Sequence, residues 1–217
     1  MQPKNPTQNQ VSNTHAEAIA KTKGTIAITL GDPAGIGPEV VVKTLLAQPT
    51  LERPWLLIGN LWSLQMAANM LQVKLPVIHM VNDLHDVRDG LNMVDLEHQL
   101  PHDFQLGQVQ AACGHAAVAA VEYAAKACLE GRLAAMVTAP INKEAIHAAG
   151  YVDDIGHQEI LARLSGVERT ATMLMTPGLK VVHLSTHKSL IEAAKYVTQD
   201  TVFAKLELIH ETLTAWG

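Results

Sequence analysis

The sequence predicts an α/β fold built on a mostly parallel sheet covered by helices. Three observations carry this. Short apolar, β-rich runs alternate with segments of helical periodicity along most of the 217 residues. Most of these runs end in Gly, Pro or Asn and pass into a helix rather than into a tight hairpin. Aromatic residues make up only 4% of a chain that is 48% hydrophobic, so Ala, Val, Leu and Ile must fill the core, as in sheets buried on both faces.

Taken in order, residues 1–23 are rich in Gln, Asn, Thr and Lys and are expected to form a disordered leader. Thr25 to Leu30 is a buried strand ending at Gly31. The loop GDPAGIGPE, 31–39, follows, with Pro38 suited to a first helical turn where its missing N–H costs nothing. Val40, Val41, Leu45 and Leu46 recur at helical spacing. Trp55 to Ile58 is the second strand, Leu61 to Leu71 a helix and Pro76 to Met80 a third strand. Asn82 to Asp103 is polar and shows no clear period. Leu106 to Glu130 is a long Ala-rich helix stopped by Gly131. Ala134 to Thr138 is a strand, and Ile141 to Ala149 and Gly156 to Ser165 are helices. Thr172 to Thr176 and Leu179 to Ser185 form a hairpin over Pro177-Gly178. Thr198 to Thr214 is a helix with Thr198 as its N-cap. A change of domain falls, if anywhere, near residues 105–120. No closing strand follows the last helix, which reads as an α/β fold incomplete at its C-terminus.

The net charge is -5 and no basic block is present, which argues against a nucleic-acid partner. No apolar stretch is long enough for a membrane-spanning helix, and the first residues lack the apolar core of a signal peptide, so a cytoplasmic protein is expected. Cys113 and Cys128 fall in one predicted helix, about 22 Å apart at its axial rise. That is too far for a disulfide, so both are expected as buried thiols.

Four motifs offer chemistry. In GDPAGIGPE, a glycine loop between strand and helix lies where α/β sheets bind ligands, and Gly35 and Gly37 would let a ligand approach the backbone. Asp32 and Glu39 are its polar groups. The spacing matches neither a dinucleotide fingerprint nor a Walker loop, and a plain tight turn accounts for it equally well. In TAPINKEAI, 138–146, a helix begins with Asn142 and Lys143, and the Lys can hold a phosphate or carboxylate, although an exposed helix Lys is as ordinary. In GHQE, 156–159, His157 stands at a helix start after Asp153-Asp154, as an acid–base group or as a surface His. In HLSTH, 183–187, His187 lies at the carboxyl end of a strand, in a better position than His183 for a metal or substrate.

In this order, ITLGDPAGIGPE after the first strand, TAPINKEAI followed by GHQE, and LSTH after a hairpin, the motifs resemble the 4-hydroxythreonine-4-phosphate dehydrogenase family, including its D-threonate/D-erythronate-4-phosphate dehydrogenase relatives. The resemblance covers everything after the leader. It implies an isocitrate/isopropylmalate-dehydrogenase-like fold of two α/β domains and a homodimer with a shared active site. It also implies NAD or NADP and a divalent metal cation (Zn, Mg, Mn or Co). The reaction implied is oxidation of a secondary alcohol on a phosphorylated four-carbon 3-hydroxy acid, followed by loss of CO₂. His157 and Gln158 match the family's substrate-binding pair, with Gln where Thr is common, and His187 matches its first metal-binding His. Asp32 and Lys143 are expected at the substrate, Lys143 and His157 in catalysis, and Gly35 and Gly37 at the cofactor. Two further metal-binding histidines of the family have no counterpart before Gly217. The chain is therefore expected to be the N-terminal two-thirds of such an enzyme, complete only in a longer form. The competing expectation is a truncated, non-catalytic ligand-binding or dimerising remnant. Gln158 and the HLSTHKSL wording favour D-threonate or D-erythronate 4-phosphate over 4-hydroxythreonine 4-phosphate as substrate.

Overall fold

The computed structural model describes residues 24–48, 50–154, 156–186 and 188–216. The leader expected at 1–23 and the metal position His187 lie outside the described residues. Five strands form the main sheet: β1 (Ile26–Thr29), β2 (Trp55–Gly59), β3 (His79–Met80), β4 (Leu91–Asp95) and β5 (Ala135–Thr138), in the order β3-β4-β2-β1-β5. Every pairing is parallel. In register, Thr29 of β1 faces Ile58 on one side and Thr138 on the other. Side-chain alternation sends Ala27 and Thr29 to one face of the sheet and Ile28 to the other.

Helices cover both faces. On one, α1 (Gly37–Ala47) and α2 (Leu61–Met70) bring Val41, Val42, Leu45, Leu64 and Ala67 onto Leu57, Leu91 and Met93. On the other, α3 (Ala111–Leu129) sets Ala120, Ala124 and Ala127 against Ala27, Leu56, Ile58 and Val94. Each fully buried Leu or Ile contributes about 1.5–3 kcal/mol. α4 (Lys143–Ala148) and α5 (His157–Ser165) extend the second layer, with Ile146 and Ile160 meeting Val118 and Val121. The small residues of α3 permit close packing: a Cβ added at Gly114 would lie 2.1 Å from the Ala145 carbonyl oxygen of α4.

The crossovers fix where the site lies. From β1 the chain crosses through α1 to β2; from β4 it returns through α3 to β5, on the far side of β1. The loops after β1 and β5 therefore leave toward opposite faces, and this switch point is the binding crevice of open α/β sheets.

The expected elements appear in the expected order, with several differences, among them an unexpected helix at Leu190–Tyr196 and a last hairpin strand that stops at Val182 rather than Ser185. β4 occupies part of the stretch 82–103 that shows no period. Its Leu91, Asn92, Met93 and Val94 are all buried, and the polar Asn92 is satisfied inside by the Trp55, Arg88 and Gly90 carbonyls. β3 is two residues rather than five, since it pairs with β4 alone, at Asn92 and Met93. The long helix begins at Ala111 rather than Leu106. Residues 105–110 form a loop instead, in which Gly107 N–H donates to the Ala34 carbonyl (2.7 Å) and the Gln110 side chain bonds the Asp103 and Gln105 backbone. α4 begins at Lys143 because Asn142 caps it, accepting the Ala145 N–H at 2.9 Å.

Contacts divide the chain into two compact units between Ser165 and Gly166, and the 105–120 segment lies within the first. The second unit holds the hairpin of β6 (Met173–Thr176) and β7 (Leu179–Val182), with Thr176 opposite Leu179 across Pro177-Gly178. α6 (Leu190–Tyr196) and α7 (Gln199–Trp216) follow. Thr198 caps α7 by accepting the Thr201 N–H at 3.2 Å. Arg169 ties this unit together through Glu207 and Glu211, each at 2.9 Å. Among the described residues no helix is long and apolar enough to cross a membrane.

Candidate active site

Three loops meet at the carboxyl ends of β1 and β5. The first, 31–36, is locked to the second, 139–142, by the Asp32 N–H, which donates to the Pro140 carbonyl at 3.0 Å. Two glycines make this approach possible. A Cβ at Gly31, where φ is +72°, would lie 2.2 Å from the Pro140 carbonyl oxygen; one at Gly37 would lie 2.3 Å from that of Leu30. Gly37 is thus a packing glycine at the start of α1, whereas Gly35 lines a cleft of about 100 Å³ with Pro33, Glu39, Met66, Met70 and Leu106. Of the two glycines expected at a cofactor, only Gly35 lines that cleft.

Asp32 is 3% exposed. One carboxylate oxygen accepts the Ala34 N–H at 2.8 Å, shaping the turn, while burial pushes its pKa above the ordinary carboxylate value. Glu39, on the exposed side of α1, pairs with Lys43 at 2.5 Å. Glu39 lies in the first turn of α1, and Lys43 stands one turn further in.

Lys143 opens α4 and is exposed. Its stem runs past the third loop: a Cβ at Gly156 would lie 3.8 Å from Lys143 Cε. His157, the next residue, opens α5 and is half-buried. Burial lowers its pKa, and a hydrogen bond to the Ala139 backbone partly offsets this by favouring the protonated ring. Its Nε2 is buried with no hydrogen-bond partner among the described residues. Asp32, Lys143, His157 and Gln158 therefore come from three loops gathered at one switch point. His183 lies in the second unit, its N–H bonded to the Thr172 carbonyl at 3.1 Å.

Other polar groups near these loops have little signature in the sequence. Arg163 of α5 grips the buried Asp154 (2.7 Å) and Glu122 of α3 (2.9 Å), so the turn before His157 is anchored to α3. His115 Nδ1 bonds the Tyr151 hydroxyl at 2.9 Å, and its ring meets that of His98 edge-on at 5.4 Å. The Asp153-Asp154 pair beside His157 is the one hint of the first group. The second joins residues far apart in the sequence.

The chain is an open parallel α/β domain with loops gathered at the switch point of its sheet, the place where such sheets bind ligands. The chain belongs to the family described as pyridoxal phosphate biosynthetic protein PdxA, whose model matches residues 51–217. It is 35% identical over 196 residues to D-threonate 4-phosphate dehydrogenase of Cupriavidus necator, covering 88% of this chain and 58% of that one. With D-threonate 4-phosphate dehydrogenase of Salmonella typhimurium it shares 39% identity over 169 residues, covering 76% and 51%. Among solved structures, 4-hydroxythreonine-4-phosphate dehydrogenase of Klebsiella pneumoniae superposes with a TM-score of 0.80 at 31% identity, and that of Burkholderia phymatum with 0.72 at 34%; each comparison covers 88% of this chain and 58% of the other. The chain thus spans less than two thirds of the length of these relatives.

Proposed function

We propose that this chain is part of an NAD(P)- and divalent-metal-dependent dehydrogenase that oxidises and decarboxylates a phosphorylated four-carbon 3-hydroxy acid. D-threonate 4-phosphate is the preferred substrate class, because relatives bearing that name match over most of the chain and Gln158 stands beside His157. The observation that carries the reading is the convergence of Asp32, Lys143 and His157 at the switch point of the sheet, with Lys143 Cε beside Gly156.

The residues divide the work. The exposed Lys143 ammonium offers a point charge to a phosphate or carboxylate. His157, whose pKa burial lowers, is the group proposed to take the proton of the reacting alcohol. Asp32 keeps the first loop in its turn through Ala34, which leaves Gly35 on the cleft wall where a nicotinamide cofactor would lie against the backbone. That cofactor, when bound, accepts the hydride. Among the described residues no group of three His, Cys, Asp or Glu side chains is placed to hold a metal ion. His187 is the position proposed for metal binding. A homodimer in the cytoplasm belongs to the same proposal.

The test begins with the intact mass of the product of the native gene. Reduction of NAD or NADP by that product is then followed with D-threonate, D-erythronate and 4-hydroxythreonine 4-phosphates in the presence of divalent metals. Turnover of the first or second, lost in Lys143→Ala and His157→Ala, is expected. Absence of nicotinamide reduction with all three would refute the reading; binding without turnover would make the chain a ligand-binding module.

A further inference from the structure

Residues 96–110 run from the end of β4 to the start of α3 and are fastened at several points. The His98 carbonyl accepts the Trp62 Nε1–H at 2.8 Å and the Asn60 side-chain amide at 3.2 Å. The Phe104 ring meets that of Trp62 edge-on at 5.2 Å. The Gly107 N–H donates to the Ala34 carbonyl at 2.7 Å, and its neighbour Leu106 lines the cleft at Gly35. The last fastening is of another kind. The His98 ring meets the His115 ring of α3 edge-on at 5.4 Å, and His115 Nδ1 bonds the Tyr151 hydroxyl at 2.9 Å. A segment that walls the cleft is thus held at one point by the contact of two ionisable rings.

Neutral rings pack edge to face favourably, whereas two imidazolium rings in contact repel. His98 Nδ1 is buried with no hydrogen-bond partner among the described residues, so a charge on this ring is not stabilised from that side. The ionisable groups around the pair are Asp95 at the end of β4 and Tyr151 after α4, the latter within the field of Glu122, Asp154 and Arg163. Asp95 Oδ1 already accepts the Leu61 N–H at 3.3 Å and the Glu97 N–H at 3.0 Å. Burial and then His115 lower the His98 pKa, and Asp95 offsets them only in part. We infer that residues 96–110 form a pH-sensitive strap at the cleft, fastened while the His98–His115 pair carries at most one proton and released when both rings are charged. The sign follows from linkage: the folded chain holds the His98 proton less tightly than the unfolded one. Fastening is therefore complete above the ordinary histidine value of 6.5 and is lost as pH falls through the lowered one. The bearing on cofactor binding rests on the function proposed for the cleft; the strap itself does not. The experiment accordingly reads the Gly107 amide and the two rings rather than turnover.

Hydrogen exchange of the Gly107 amide, corrected for the pH dependence of the intrinsic rate, is expected to speed up several-fold in the wild-type protein between about pH 7.5 and about pH 5, either side of the histidine value. It is expected to stay level in His115→Phe, which keeps an aromatic ring against His98 and removes the charge. Ring ¹⁵N titrations should show the His98 midpoint rising in the same variant. Equal protection of Gly107 at both ends of the range in wild type, the same acid loosening in His115→Phe, or an unmoved His98 midpoint overturns the inference. Should His115→Phe fail to fold, His98→Phe takes its place, with level exchange of Gly107 expected and acid loosening overturning the inference as before.

Discussion

Replacing Gly114 by Ala tests how closely α3 and α4 are packed. The added Cβ would lie 2.1 Å from the Ala145 carbonyl oxygen and 2.3 Å from its carbon, where ordinary contact begins at 3.4 Å. Relief requires α4 to retreat by about 1 Å, because the obstacle is backbone and has no rotamer to change. Overpacking of this kind costs about 1–3 kcal/mol, and a backbone obstacle belongs at or beyond the upper end. Ala recovers about 1 kcal/mol over Gly as a helix former. The net expectation is a loss of about 2 kcal/mol, or a fall in Tm of about 4–8 °C for a chain of this size. Urea and thermal unfolding followed by circular dichroism read this directly. Gly114→Val, with a larger side chain and a smaller propensity gain, should fall further. A Gly114→Ala protein as stable as wild type, or more so, would falsify the packing argument for this layer and for the seating of Lys143 at the head of α4.

Two further outcomes are expected. Arg163→Met strands the carboxylate of Asp154, whose side chain is 6% exposed, and should cost about 2 kcal/mol in urea unfolding, discounted because the Arg163 side chain itself is 44% exposed; Lys at 163 should restore less than half, since it lacks the planar fork that meets both Asp154 oxygens. Cys113 is buried beside Asp32, and burial followed by that charge pushes its thiol up to about 11, so it should resist alkylation at neutral pH until the chain unfolds. The linkage has a definite sign: the folded chain holds this proton more tightly than the unfolded one. The stability contributed is complete below the ordinary thiol value of 9.0 and is lost as pH rises toward about 11. Denaturant titrations across that range check it against Cys113→Ala, which should show a shallower loss.

The parallel sheet and most helices are legible in the sequence because period and punctuation agree: Thr25 to Leu30 followed by a glycine loop, and the Ala-rich run stopped by Gly131. β4 is not, because the burial of Asn92 depends in part on the Trp55 carbonyl, which only the folded sheet brings to it. α6 does carry a local signal: Ser189 and Glu192 form a capping box, and that spacing is visible in the sequence itself. Of the site, the loops are legible and their contacts are not. Nothing local in GDPAGIGPE says that Gly37 faces the Leu30 carbonyl while Gly35 faces a cleft. Thr29 reads as one more β-branched strand residue; that its hydroxyl is buried with no partner among the described residues shows only in the folded sheet.

The contact between Gly31 and Pro140 bears on how such a site can change over generations. With a carbonyl oxygen 2.2 Å from where a side chain would start, the two loops have no clearance between them. Substitutions in either loop are accepted or rejected by the shape of the other, more than a hundred residues away in the sequence. Exchange of one loop with that of a distant relative should fail where exchange of both together succeeds, so diversification is channelled toward positions outside this contact.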